Sequence, residues 1–275
     1  MRKVASKKRK VLNIDELRAY RVAYGRQLGS KDYLMYVGVP AGLFGLLSLL
    51  LLYNVWVTLV CISIGAIYGW TFFLPKSVRK QYEAESFNQR NKFINNITQV
   101  LTDENHTVLM ALQKVTPRAD GEFQEDVKRF HAMLIGADNQ RVRDAVNWFS
   151  DEYEDDVIFL QYLEQLETAC IEGKTNIDTL KDIKSYHNDI RKKQLHYEKR
   201  KAGHLRDMKQ LLGITCVLII ALALSFGFDT YLEAFARTTI GYITSGLYLT
   251  ILAFFFKQFS NYLFDDSVME IRVGR

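Results

Sequence analysis

The sequence predicts an all-α membrane protein, with four transmembrane helices, two toward each end, flanking a cytoplasmic helical bundle. Three observations carry this. Residues 33–75, 210–228 and 238–256 contain no Asp, Glu, Lys or Arg, so the 24% of charged residues crowd into the rest. The stretch between these runs repeats its apolar residues every three to four positions, the helical period. Only three prolines occur in 275 residues, so little in the composition interrupts long helices.

Residues 1–32 form a basic amino-terminal segment. "MRKVASKKRK" leads into "VLNIDELRAYRVAYGRQL", which is charged throughout and lacks the apolar core of a secretory signal. Asn13 and Glu16 have capping-box spacing, and Ile14, Leu17, Tyr20, Tyr24 and Leu28 mark an amphipathic helix. Two placements fit that helix, on the inner membrane surface or against a cytoplasmic partner.

A helix needs about 20 apolar residues to cross a hydrocarbon layer ~30 Å thick. The uncharged run 33–75 is about twice that, and its middle, "LLYNVW", holds a turn-forming Asn and two interfacial aromatics. It is expected to be a hairpin of two spans, 33–53 and 55–74, with the second ending at Pro75 and Lys76. Gly38 and Gly42, like Gly65 and Gly69, have the GxxxG spacing that lets helices approach closely in lipid. The third and fourth spans are expected at 211–228 and 239–256, with a cytoplasmic tail at 257–275.

The cationic flanks set the orientation. Residues 1–31 carry ten Lys and Arg, the hairpin turn none, and the link between spans three and four only Arg237. Residues 191–206 carry seven, against the single acid Glu198. By the positive-inside rule both termini and the central region face the cytoplasm in a multi-pass cell-membrane protein. Lys192, Lys193, Lys199, Arg200, Lys201 and Arg206 are then membrane-flanking cations facing anionic headgroups of membrane lipids. The same residues, interleaved with His196, Tyr197 and His204, also have the composition of a nucleic-acid contact. Charge confined to span flanks favours the membrane reading, with no nucleic-acid partner.

Residues 76–208 read as a helical domain. Phe93, Ile94, Ile97 and Leu101 share a face, "TDENH" breaks the pattern and "TVLMALQKV" resumes it. Phe123, Val127, Phe130 and Leu134 form the next face, closed by a structural turn at Gly136. Val142, Val146 and Phe149 follow. A helix with Val157, Leu160, Leu163, Leu166 and Cys170 turned inward then stops at a second structural turn, Gly173. Leu180, Ile183, His187, Ile190, Gln194 and Tyr197 continue at heptad-like spacing into span three. Gly203 is the one weak point, so either a single helix of ~75 Å or a kink at Gly203 is expected.

No catalytic, cofactor-binding or metal-binding constellation is legible. There is no GxxxxGK[ST], GxGxxG, GxSxG or HExxH. His187, His196 and His204 miss the i, i+4 spacing of a helical metal site. Cys61, Cys170 and Cys216 lack metal-site spacing and are odd in number. The "DEYEDD" run, 151–156, reads as a solvated loop supplying acids to the start of the next helix. Two glycosylation sequons, at Asn96 and Asn105, would be silent in the cytoplasm. The protein is expected not to be an enzyme and to need no cofactor.

The bundle resembles the F domain of the type II secretion system. "FINNITQVLTDENHTVLMALQKV" is similar to its opening helix pair and "LIGADNQRVRDAVNWFSDEY" to its middle element. "LETACIEGKTNIDTLKDIKSYHNDIRKKQ" matches a helix ending at Gly, a short polar link and a long basic-ended helix before the membrane. The likeness covers about 93–225, with Asp103-Glu104-Asn105 where the family commonly has Gly. One such domain between two span pairs is most similar to the platform proteins of Tad (Flp) pili. The resemblance implies a scaffold that couples a cytosolic hexameric secretion ATPase to pilin-like subunits and forms a homo-oligomer. The competing expectation, a transporter or channel subunit, calls for polar or ionisable groups inside the spans, and these hold only Ser, Thr, Tyr, Cys and Asn54, with no Asp, Glu, Lys, Arg or His.

Overall fold

The computed structural model describes residues 14–25, 27–103 and 106–265. The basic residues 2–10, Asn13, Arg26, the Glu104-Asn105 turn and 266–275 lie outside the described residues. Among the described residues the fold is all-α, with no strand. Four helices are long and apolar enough to cross a membrane: Ser30–Leu52, Val55–Leu101, Ile177–Phe226 and Thr239–Leu263. We name these α2, α3, α8 and α10. α1 is Ile14–Val22, α4 Val108–Val115, α5 Gly121–Leu134, α6 Asn139–Glu152, α7 Val157–Glu172 and α9 the short Phe228–Tyr231. The chain divides into two compact units, one of residues 14–22, 27–79 and 212–264, the other of 23–25, 80–211 and 265.

In the first unit, α2 and α3 form the expected hairpin, and two residues share its turn. Tyr53 takes the left-handed conformation at φ +48°, the one non-glycine described residue to do so. Asn54 then caps α3, its Oδ1 accepting from the backbone N–H of Trp56 at 3.0 Å and Val57 at 3.4 Å. The Asn54 amide donates to the Tyr242 hydroxyl of α10 at 2.8 Å, and Tyr231 Oη donates to the Leu51 carbonyl at 3.0 Å. Polar groups at the turn are thus satisfied by the chain itself.

The two GxxxG pairs behave differently. A methyl group at Gly65 would lie 2.7 Å from the Pro40 carbonyl oxygen, and one at Gly69 2.6 Å from that of Tyr36. These glycines let α3 lie backbone to backbone on α2. Gly42 meets nothing within 4 Å, and Gly38 only Leu34 of its own helix.

The span expected to end at Pro75 and Lys76 lies within a longer helix, since α3 runs unbroken to Leu101. Proline withholds an N–H and crowds the carbonyl four residues back, which ordinarily kinks or ends a helix. Here a widened π-turn, Gly69–Phe73, immediately precedes it. A matching π-turn, Leu34–Gly38, precedes Pro40 in α2. Each lets the helix absorb its proline and continue. α1 rests on its own chain, with Leu17 buried beside Tyr36, Leu74 and Val78, and Arg21 paired to Asp32 at 2.6 Å. α8 stops at Phe226 because Gly227 turns the chain at φ +80°. α10 continues to Leu263, past the expected end of span four.

The second unit is a bundle around one aromatic centre. Phe93, Phe123, Phe149 and Phe159 are all within 1% of complete burial and meet largely edge to face. The faces read for α3, α5 and α6 are the buried ones. The face of α7 is rotated from its expectation. Val157, Leu160 and Cys170 are only partly buried, while Ile158, Phe159, Tyr162 and Ala169 join Leu163 and Leu166 inside. Burying the rings of Phe159 and Tyr162 removes more apolar surface than burying Val157 and Leu160. The Tyr162 hydroxyl also finds a partner in Thr98 Oγ1 at 2.7 Å.

Candidate functional site

Inside the bundle unit, a buried polar seam joins α3, the start of α7 and α8. It begins with the "DEYEDD" run. Asp151, Glu152, Glu154 and Asp155 are exposed, but Asp156 is 9% exposed and caps α7, its Oδ1 accepting from Phe159 N at 3.1 Å. Its Oδ2 faces inward, 2.7 Å from Arg90 Nε and 3.3 Å from His187 Nε2. Burial alone would push this carboxyl up, yet the Arg90 guanidinium and the His187 ring outweigh it and hold the group well below the usual carboxylate range.

His187 is fully buried and stacks on Phe87, with ring centroids 4.7 Å apart. Its proton can be placed by following the donors. Arg191 can only donate, and its Nη1 lies 2.9 Å from Asn91 Oδ1. Asn91 Oδ1 is therefore the acceptor and Nδ2 the donor. That Nδ2 lies 2.9 Å from His187 Nδ1, which must accept, leaving the ring proton on Nε2 toward Asp156. Asn91 Nδ2 also reaches Asn188 Oδ1 at 2.8 Å. Asn95 and Asn188 exchange amide hydrogen bonds in both directions at 2.9 Å. Arg90 completes the seam by donating to Ser86 Oγ at 2.7 Å and lying over the Tyr153 ring. Seven side chains from α3 and α8, with one helix cap, thus satisfy one another around the buried Asn91 and His187. The arrangement fixes the rotation and register of α8 on α3. Its buried part, around Asn91, Asp156 and His187, holds protons in place and offers no open ligand position, whereas Asn188 and Arg191 are only partly buried.

A second polar group lies beside it. The Tyr153 hydroxyl donates to Asp126 Oδ2 at 2.7 Å. Burial, aided by the charges of Glu122 and Glu152, pushes the Asp126 carboxyl up to about 6 despite that bond and Arg129. Cys170 is pushed up to about 11 by burial and Glu167, so its thiol stays protonated near neutrality.

The residues singled out from sequence fall as follows. Gly136 and Gly173 both take left-handed backbone, at φ +65° and +67°, just past α5 and α7. Lys192, Lys193, Lys199, Arg200 and Arg206 are exposed on α8. Lys201 differs. It is 3% exposed, lies over the Tyr197 ring and donates to the Asp265 carbonyl, so its charge is spent on the chain rather than on headgroups. His196 and His204 are exposed and take no part in the seam. Among the described residues no three His, Cys, Asp or Glu side chains converge as metal ligands. Arg90, Asn91, Asn95, Asn188 and Arg191 were missed as a set. Their one sequence signal is polar residues recurring at positions 91 and 95 on the helix whose apolar face enters the core.

The fold and seam define a class, an all-helical chain in which four long apolar helices accompany a bundle locked by buried polar contacts. The chain belongs to the same family as uncharacterized protein pXO2-23 of Bacillus anthracis. The two are 48% identical over 267 residues, covering 97% of this chain and 96% of that one. No family model matches the chain, and no solved structure matches it.

Proposed function

We propose that the protein is a non-enzymatic membrane platform of a type IV filament or related secretion machine. On this reading the four apolar helices cross the cell membrane, both termini and the bundle are cytoplasmic, and the spans contact lipid and pilin-like subunits. The bundle meets a cytosolic hexameric ATPase, and copies of the chain assemble together. The family likeness rests on the segments quoted from 93–225.

One observation supports the mechanical part. α3 and α8 are each a single helix that includes both an apolar stretch long enough to span and a polar stretch within the bundle. In the bundle those same two helices are tied by the Asn91, Asn95, His187, Asn188 and Arg191 contacts. A push on the bundle is thereby shared between two membrane segments rather than lost in a loop. The tie uses directional hydrogen bonds, which resist sliding better than apolar packing does.

The test has two arms. Reporter fusions at Glu125 and Asp182 should read cytoplasmic. A neighbouring gene should encode a secretion ATPase, and the chain in lipid nanodiscs should bind it and raise its turnover. Reporters placed outside, or a neighbouring ATPase that neither binds nor accelerates, would end the platform reading.

A further inference from the structure

α8 carries a groove along the partly exposed edge of the polar seam, with which it shares Asn188 and Arg191. Its volume is about 330 Å³, and Lys184, Ser185, Asn188, Arg191, Lys192 and Leu195 line it, all within the bundle unit. These positions recur on one helical face. Three of the six side chains are cations and none is an acid. Lys192 is paired to Asp189 at 3.0 Å. Lys184 makes no ion pair or hydrogen bond among the described residues, and Arg191 makes a single bond, to the neutral Asn91 amide. A half-buried guanidinium held by one amide, with no carboxylate, is a preorganised and electrostatically incomplete site.

We infer that this groove docks an acidic segment of a partner protein. Arg191 is only partly buried and gives one N–H to Asn91, and a guanidinium with donors remaining is the group that takes up a carboxylate through two parallel hydrogen bonds. Lys184 stands two helical turns away, ~10 Å, so the occupant carries a second carboxylate at about that distance. Leu195, 48% exposed, closes the other end and receives an apolar residue beyond the acids. Inorganic phosphate or a lipid headgroup has no use for Leu195. No aromatic ring lines the groove, so nucleic-acid bases find no stacking surface there. The groove takes such a segment whether or not a secretion motor supplies it.

The experiment uses the full chain in neutral phosphatidylcholine nanodiscs. The probe is a fluorescein-labelled peptide of repeating Glu-Glu-Leu, with Gln-Gln-Leu as its uncharged counterpart. The acidic peptide should bind, and the double change Lys184→Glu with Ser185→Glu should weaken it by about tenfold or more, whereas Lys199→Glu with Arg200→Glu, lower on the same helix, should change it less than about twofold. Circular dichroism of each variant should match the parent. Equal binding of the uncharged peptide overturns the assignment. So does loss of binding only in the Lys199/Arg200 variant, or full displacement by inorganic phosphate or by anionic-lipid vesicles.

Discussion

Asp156 does three things at once: it caps α7, neutralises Arg90 and orients His187. Replacing it with Ala leaves a buried guanidinium without a counter-charge, and breaking such a pair costs about 3–5 kcal/mol. Trp148 packs on Phe149 and under Arg129, so in a Trp56→Phe/Trp70→Phe background its fluorescence reports unfolding of the bundle. Denaturant midpoints by that signal should fall steeply for Asp156→Ala and little for the exposed Asp155→Ala. The two unusual carboxyls also have opposite pH signatures. Asp156 is held below its unfolded value near 4, so its stabilisation is present above about pH 4 and fades as the pH drops further. Asp126 is raised to about 6, so the folded state binds the extra proton and stability falls as pH rises from about 4 to 6. Asp126→Asn should flatten the slope in that window and raise the midpoint at pH 7, and an unchanged profile would contradict the burial argument.

At the scale of elements, the α2–α3 hairpin and α8 respond to glycine changes in opposite ways. Gly69→Ala drives a methyl group into the Tyr36 carbonyl, backbone that cannot step aside, and over-packing of this kind costs about 1–3 kcal/mol. Gly42→Ala meets open space and should be neutral or mildly stabilising. Thermal aggregation of the two proteins in detergent separates them, and equal loss would mean that the hairpin does not pack through Gly65 and Gly69. Gly203 lies inside a continuous α8 with nothing within 4 Å, so Gly203→Ala should stabilise by about 0.8–1 kcal/mol through helix propensity alone. A destabilised Gly203→Ala would point instead to a kink that the glycine serves.

For the whole molecule, much of the architecture was legible because apolar patterning is a local signal. The uncharged runs located the four long helices, and the periodicity of "FQEDVKRFHAMLI" and "QRVRDAVNWF" located the buried faces of α5 and α6. Pro75 closes the uncharged run but not the helix, because the π-turn before it lets α3 continue. α7 misled because two adjacent faces were both apolar, and ring size together with the Thr98 partner chose between them. The seam was illegible for a different reason. Asn91 and Asn188 are 97 residues apart, and each alone is an ordinary polar residue on a helix.

From its sequence alone, then, this chain determined that it is helical, which stretches suit a bilayer and where most helices begin and end. Those properties depend on neighbours within a few turns, through apolar period, capping side chains and the absence of charge. Only the tertiary structure decided which polar residues are buried together, which GxxxG pair carries a contact and that Lys201 is withdrawn from the surface. Those outcomes depend on distant segments meeting, and a buried hydrogen bond exists only once both of its partners have left water.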